Sequence, residues 1–215
     1  PVVTGAKGKA LRVIKKIAKE RYAPLYHVKK FSKSKFFHPI KFNYLNGTFQ
    51  QENKNIALTA VDTLKKVYSI KINKNQIISG IKKAKWPARL QFISKNVLID
   101  CAHNPAGFEV LKNKLKIIKN KKKIKGFIFV IGIQNTKDIT NMLRKINPLI
   151  STIIFTKSKN EKASEPKELL HIFNKINKNK SIKTRIIKNP KKALNYAKKI
   201  ADKKDLQLNR AKTVS

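Results

Sequence analysis

The sequence predicts an α/β protein whose C-terminal part is a Rossmann-like domain with a mostly parallel sheet. Two observations support this. After residue 90, short apolar runs alternate with helical stretches; the run at 126–133 (GFIFVIGI) has no polar side chain, and the run at 151–156 (STIIFT) has an apolar centre. Strands covered by helices on both faces have that composition, whereas strands with one wet face alternate apolar and polar residues. The length of 215 residues suits one large domain or two small ones.

The elements of the second part follow in a regular order. Strands are expected at 97–101, 126–133, 151–156 and 182–187, and helices at 107–118, 137–146, 166–176 and 190–201. The Lys runs at 119–125 and 177–180 fall between these elements and are interpreted as solvated turns.

The first 85 residues show a different order of elements. We expect a short strand at 1–4, helices at 10–20, 53–67 and 76–84, an extended piece at 23–28, and a Lys- and aromatic-rich connection at 31–42. The helix at 53–67 carries a stripe of apolar residues at helical spacing, consisting of Ile56, Ala57, Ala60, Val61, Leu64 and Val67.

The net charge of +40 comes from 51 basic residues, of which only Arg12, Arg21, Arg89, Arg144, Arg185 and Arg210 are arginines. Recognition of base edges and bidentate contact with phosphate favour the planar guanidinium. Charge spread over Lys at all solvated faces therefore indicates compositional drift more than a nucleic-acid site, although a Lys-rich nucleic-acid-binding module stays an alternative.

Other classes of protein find little support. The chain has no apolar run of about 20 residues and opens on no secretory signal, so we expect no membrane association and a cytoplasmic location. The single cysteine, Cys101, predicts no disulfide and no structural metal. The segment GAKGK (5–9) lacks the spacing of a phosphate-binding loop and is interpreted as a turn before a helix.

Three stretches resemble one known family when they are taken together. They are LNGTFQQENKNIALTAVDTL (45–64), WPARLQ (86–91) and LIDCAHNPAGFEVL (98–111). In order and spacing they are similar to the G-x-[HY]-Q-x-x-N-A-x-x-A helix, the W-P-G-R-L-E turn and the D-G-A-H-N-P strand end of folylpolyglutamate synthase and the bifunctional dihydrofolate synthase, relatives of the Mur peptide ligases. The likeness extends from Pro1 to about Asp205.

The resemblance implies both an architecture and an activity. Residues 1–85 would be the remnant of a central P-loop ATPase domain with its linker, and residues 86–215 the Mur-ligase-type C-terminal domain. The enzymes use ATP and Mg²⁺ to convert the carboxylate of folate or dihydropteroate into an acyl phosphate, which the amine of L-glutamate attacks. We therefore expect small-molecule partners, no specific nucleic acid and a monomer. A Mur-type ligase of a cell-wall peptide is a further alternative.

The resemblance also implies roles for five residues. Asn53 would contact the adenine, Arg89 the phosphates and Asp100 the ribose hydroxyls, while His103 and Asn104 would lie near the reacting carboxylate and the incoming glutamate. Amide, guanidinium and carboxylate groups suit those contacts. Asp100 would also stand at the carboxyl end of a parallel strand, where open α/β sheets bind ligands.

Each assignment has a structural alternative. Asn53 could be a helix N-cap, Arg89 a surface cation, and His103 a cap of the following helix. Asp100 inside an apolar strand requires a hydrogen-bonding partner in either case. We expect Asn53, Arg89 and Asp100 to converge on one cleft.

Several positions depart from the family pattern. The phosphate loop, the magnesium ligands and the carbamylated lysine of the family are not found in the sequence, so we expect a C-terminal fragment that is inactive alone, with no metal ligands of its own. Lys54 replaces the Ala of the family pattern, Ala88 replaces its Gly, and Gln91 replaces its Glu. The tail QLNRAKTVS, which follows Asp205-Leu206, differs from the C-terminal pattern of the family.

Overall fold

The computed structural model describes residues 1–28, 40–43, 45 and 49–212, with the backbone alone for 202–212. The predicted connection at 31–42 lies mostly outside the described residues. The chain divides into two compact units, Pro1–Cys101 and a second unit that begins at Ala102. The predicted domain boundary between residues 85 and 86 stays a prediction.

The described residues of the first unit form two small sheets and three helices. Its elements are β1 (Val2–Thr4), α1 (Gly8–Glu20), β2 (Leu25–His27), α2 (Phe49–Tyr68), α3 (Lys74–Lys83), β3 (Gln91–Ser94) and β4 (Val97–Ile99). Strands β1 and β2 pair in parallel, with Val3 opposite Tyr26. In the GAKGK segment, residues 5–7 lead into α1, whereas Gly8 and Lys9, which were expected in the turn, already belong to the helix; Gly8 has a φ of +59°.

Helix α2 buries a different face from the one its apolar residues indicate. The fully buried stripe runs through Gln50, Lys54 and Leu58, whereas Leu64 and Val67 are 37% and 44% exposed. Lys54 is only 2% exposed, and its ammonium group donates to the carbonyl of Ile40 over 2.7 Å. Burial lowers the pKa of Lys54, because desolvation penalises the charged form.

The strand predicted at 97–101 does not belong to the parallel sheet among the described residues. Val97–Ile99 pairs antiparallel with Gln91–Ser94, a strand that the sequence analysis missed. Lys95 and Asn96 form the two-residue connection, a length typical of hairpins. The interpretation of this run as a buried parallel strand is therefore wrong, because its partner is the strand that immediately precedes it in the chain.

The second unit is an alternation of helices and parallel strands, as predicted. Its elements are α4 (Pro105–Lys122), β5 (Phe127–Ile131), α5 (Ile139–Ile146), a 3₁₀ turn (Asn147–Leu149), β6 (Ile150–Phe155), α6 (Pro166–Ile176), β7 (Lys183–Ile186) and α7 (Pro190–Lys212). The three strands pair in parallel in the order β5-β6-β7.

Both faces of this sheet are covered, which explains its apolar strands. Ile153 and Phe155 of β6 pack in a core with Phe173 of α6, and residues of α4 and α5 complete that core. Ile154, which points to the opposite face, packs with Ala193 of α7. The alternation follows from the two-residue period of a strand, and it confirms the predicted α/β fold class. None of the helices in the described ranges is long and apolar enough to cross a membrane.

Candidate active site

The WPARLQ segment forms a turn that is closed by two hydrogen bonds, one to a side chain and one between backbone groups. The carboxylate of Asp100 accepts a hydrogen bond from the N–H of Leu90 over 2.8 Å, and the carbonyl of Ala88 accepts one from the N–H of Cys101 over 2.7 Å. Leu90 itself is buried. These bonds hold the residues around Arg89 against the end of β4.

Two residues of this turn adopt left-handed backbone conformations. Ala88 has a φ of +55° and Leu90 a φ of +47°. A side chain with a Cβ disfavours that region, whereas glycine occupies it readily. The conformation therefore gives a physical reason for the glycine that the family pattern has at the position of Ala88.

Arg89 is exposed at the tip of the turn. Its guanidinium carbon lies 5.3 Å from the centre of the Trp86 ring, within the range of a cation–π contact. The ring limits the orientations of the arginine while the guanidinium stays accessible. Its planar donor array can contact a phosphate at two points.

Asp100 has a structural role that the sequence did not reveal, because it closes the Arg89 turn. It follows β4 of an antiparallel hairpin, so the prediction that a parallel strand end positions it is wrong. The predicted contact of Asp100 with ribose hydroxyls stays a prediction.

Asn53 lies in the second turn of α2, which begins at Phe49, so the alternative that it caps the helix is wrong. Its side-chain amide nitrogen donates to the side-chain oxygen (Oε1) of Gln50 over 3.0 Å. That bond occupies one donor of an exposed side chain and orients its amide group. The predicted approach of Asn53 to Arg89 and Asp100 stays a prediction, although all three belong to the first unit.

His103 and Asn104 belong to the second unit, at the start of α4. Asn104 is the N-cap, since its side-chain oxygen accepts from the N–H of Gly107 over 2.8 Å and Pro105 follows as the first helical residue. The cap is therefore Asn104 and not His103, which is exposed. The cap orients Asn104, and catalytic roles for these two residues stay predictions.

The parallel sheet with helices on both faces defines an α/β domain, and the family model described as "Mur ligase, glutamate ligase domain" matches residues 88–212. The chain belongs to this family. The match includes Arg89, Asp100, His103 and Asn104, and it excludes Asn53.

Curated relatives agree with that family. The dihydrofolate synthase/folylpolyglutamate synthase of Bacillus subtilis is 29% identical over 127 residues, which cover 58% of this chain and 29% of the relative. The probable dihydrofolate synthetase of Schizosaccharomyces pombe is 33% identical over 119 residues, which cover 52% of this chain and 27% of the relative. The matched region thus spans less than a third of these relatives.

Solved structures show the same fold over most of the chain. The folylpolyglutamate synthase of Mycobacterium tuberculosis in complex with ADP superimposes with a TM-score of 0.70 at 17% identity, covering 91% of this chain and 46% of that one. The Thermotoga maritima folylpolyglutamate synthase gives a TM-score of 0.64 at 25% identity, covering 91% and 48%. Escherichia coli FolC in complex with DHPP and ADP gives 0.66 at 20% identity, covering 86% and 44%.

Proposed function

We propose that this chain is the C-terminal portion of an ATP-dependent ligase that joins L-glutamate to the carboxylate of folate or dihydropteroate. The observation that carries this proposal is the turn closed by Asp100, which presents an exposed Arg89 in a chain of the Mur ligase family. The names of the relatives from Bacillus subtilis and Schizosaccharomyces pombe support the substrate class.

The proposed reaction has two steps. A carboxylate oxygen of the folate attacks the γ-phosphorus of ATP, ADP leaves, and an acyl phosphate forms. The amine of glutamate then attacks the acyl carbon, phosphate leaves with that oxygen, and the amine loses a proton as the amide forms. Catalysis of phosphoryl transfer consists mostly of positioning and charge stabilisation.

In this proposal Arg89 contacts the phosphates through its guanidinium, which the Trp86 ring keeps oriented. Asp100 accepts hydrogen bonds from the ribose hydroxyls, and Asn53 contacts the adenine with the amide that Gln50 orients. His103 and Asn104 lie beside the reacting carboxylate and the incoming glutamate.

ATP and a divalent cation are the proposed cofactors. The Yersinia pestis neighbour is complexed with AMPPNP and a Mn ion, which supports a nucleotide and a divalent metal. We propose that the ion is Mg²⁺ and that residues outside the described part of this chain hold it. We further propose a cytoplasmic monomer with no specific nucleic-acid or membrane partner.

The test is product analysis on the protein expressed from its whole reading frame, including any sequence before Pro1. The proposal predicts ADP release that requires glutamate and either dihydropteroate or a folate, and a product heavier by one glutamyl residue. ADP release that is indifferent to glutamate would contradict it. The chain from Pro1 to Ser215 alone should form no product, and ligation by it would contradict the proposed dependence on residues outside the chain.

A further inference from the structure

A cleft of about 560 Å³ lies within the second unit, between the start of α5 and one side of α6. Its apolar lining includes Ile139 and Ile172, and its polar lining includes Asn135, Ser164, Lys167 and His171. None of the residues assigned to the proposed ligase site lines it. A cleft of this volume is in the usual range for small organic ligands.

The upper part of the cleft is built by the loops that follow β5 and β6. The N–H of Asn135 donates to the carbonyl of Lys162 over 2.8 Å, and the N–H of Ser164 donates to the carbonyl of Ile133 over 2.9 Å. Together with the isolated bridge between Gln134 and Ala163, these bonds fix the two loops to each other. The cleft therefore has a preformed edge at the carboxyl ends of adjacent parallel strands, where open α/β sheets bind ligands.

Ser164 is the feature of the cleft that points to a ligand. The residue is 2% exposed, and its hydroxyl oxygen is buried without a hydrogen-bond partner. A buried hydroxyl normally has a partner, because leaving it unsatisfied is unfavourable. A ligand acceptor placed in the cleft would satisfy it.

The remaining polar groups indicate the charge of that ligand. Lys167 and His171 stand one helical turn apart on the same side of α6, so their side chains can contact one group. Glu168 also lines the cleft, but its carboxylate accepts from the N–H of Glu165 over 3.3 Å and caps the helix. The lining thus offers the ammonium group of Lys167, the imidazole of His171 and the amide of Asn135 as donors, beside the carboxylate of Glu168.

We propose that this cleft binds a small organic anion, a carboxylate or a phosphate monoester with a compact apolar body. Ser164, Asn135, Lys167 and His171 surround the anionic head, and Ile139 and Ile172 contact the apolar body. The site is independent of the proposed ligase function, because it uses no residue of that site.

Benzoate and phenyl phosphate are suitable probes, with benzamide as the uncharged control of the same shape. Titration into the ¹⁵N-labelled chain, followed by NMR, should shift the amide signals of Ser164 and His171 with saturation for at least one of the two anions. Saturation by benzoate alone identifies a carboxylate site, and saturation by phenyl phosphate alone identifies a phosphate site.

Variants separate a binding role from a structural one. Ser164→Ala should raise the Kd about tenfold or more while the melting temperature stays equal or rises, because the lost hydroxyl has no protein partner. Lys167→Gln should raise the Kd about two- to fivefold, and Lys175→Gln, an exposed lysine on the last turn of α6, should leave it unchanged.

Three results would overturn the proposal. They are the lack of saturable shifts at Ser164 and His171 with either anion up to about 20 mM, equal shifts with benzamide, and a Kd that Ser164→Ala leaves unchanged. A fall in melting temperature for Ser164→Ala would also contradict it, since the hydroxyl would then have a structural role.

Discussion

Arg89 is positioned through its neighbours. Asp100 holds the N–H of Leu90, the carbonyl of Ala88 holds the N–H of Cys101, and the Trp86 ring lies beside the guanidinium. One carboxylate thus has a structural role in the turn and, in our proposal, a binding role toward the ribose. The two roles can be separated by mutation, because an amide keeps the acceptor and loses the charge.

Asp100→Ala should destabilise the first unit by about 1–3 kcal/mol, because the buried N–H of Leu90 loses its acceptor. Asp100→Asn should cost less, since its side-chain oxygen can still accept that bond. Urea unfolding of both variants measures the difference. Equal destabilisation by Ala and Asn would show that the Leu90 bond contributes nothing.

Arg89→Lys should lower kcat about a hundredfold to a thousandfold in the whole protein, although it keeps the positive charge. A well-placed charged donor at a transition state contributes about 3–4 kcal/mol, and lysine lacks the planar array of donors. Arg12→Lys on the exposed face of α1 is the matched control and should change kcat less than about twofold. A wild-type rate for Arg89→Lys would leave the turn with a packing role only.

The candidate residues could be named from the sequence because their motifs resemble those of a known family. Their hydrogen-bonding partners could not be predicted from the sequence. Asn104 could be recognised before Pro105 as an N-cap, but the bond from Leu90 to Asp100 joins residues on either side of a hairpin that the sequence analysis missed. The cleft at Ser164 was missed because it depends on the contact between Gln134 and Ala163 from two separate loops.

At the scale of elements, helices and strands could be predicted from the sequence where they contain apolar runs. The helix at 166–176 was predicted with its observed bounds, and the strands β5, β6 and β7 were each found within two residues at either end. Strand β6 is almost wholly buried and β5 is partly buried, so their apolar composition shows their environment, whereas the edge strand β7 has three exposed residues. Strand β3, whose four residues are all exposed, gave no such signal. The pairing of β4 was wrong because an apolar run does not identify its partner strand.

The contact between α4 and α5 includes an ion pair that makes stability depend on pH. Glu109 of α4 lies 2.7 Å from the ammonium group of Lys112 and 2.9 Å from that of Lys145 on α5. Hydrogen bonds from Lys112 and then from Lys145 lower the pKa of Glu109 to about 2. Because the folded-state pKa lies below the ordinary value of 4.5, the contribution to stability is complete above that value. It is lost as the pH falls toward about 2.

Glu109→Gln should therefore lower the melting temperature near pH 6, and the difference from the unsubstituted chain should shrink as the pH falls toward about 2. Added salt should reduce the effect, because the pair is partly exposed. Glu161→Gln, at an exposed loop position, is the control and should show no such pH dependence. A constant difference across that pH range would show that Glu109 does not act through its charge.

At the scale of the whole molecule, the net charge of +40 was interpreted as compositional drift more than as a nucleic-acid site. The fold and the family match agree with a ligase domain, and the surface charge distinguishes neither substrate nor fold. At this scale the sequence showed the order of the three motifs, and these motifs lie in both units.

The most direct test of the proposed reaction follows one oxygen atom. The protein expressed from its whole reading frame is given ATP, glutamate and dihydropteroate labelled with ¹⁸O in its carboxylate. If an acyl phosphate forms, one labelled oxygen moves to the γ-phosphate and leaves with it, so mass spectrometry should find a single ¹⁸O in the released inorganic phosphate. Formation of the glutamyl amide with unlabelled phosphate would contradict the acyl-phosphate route.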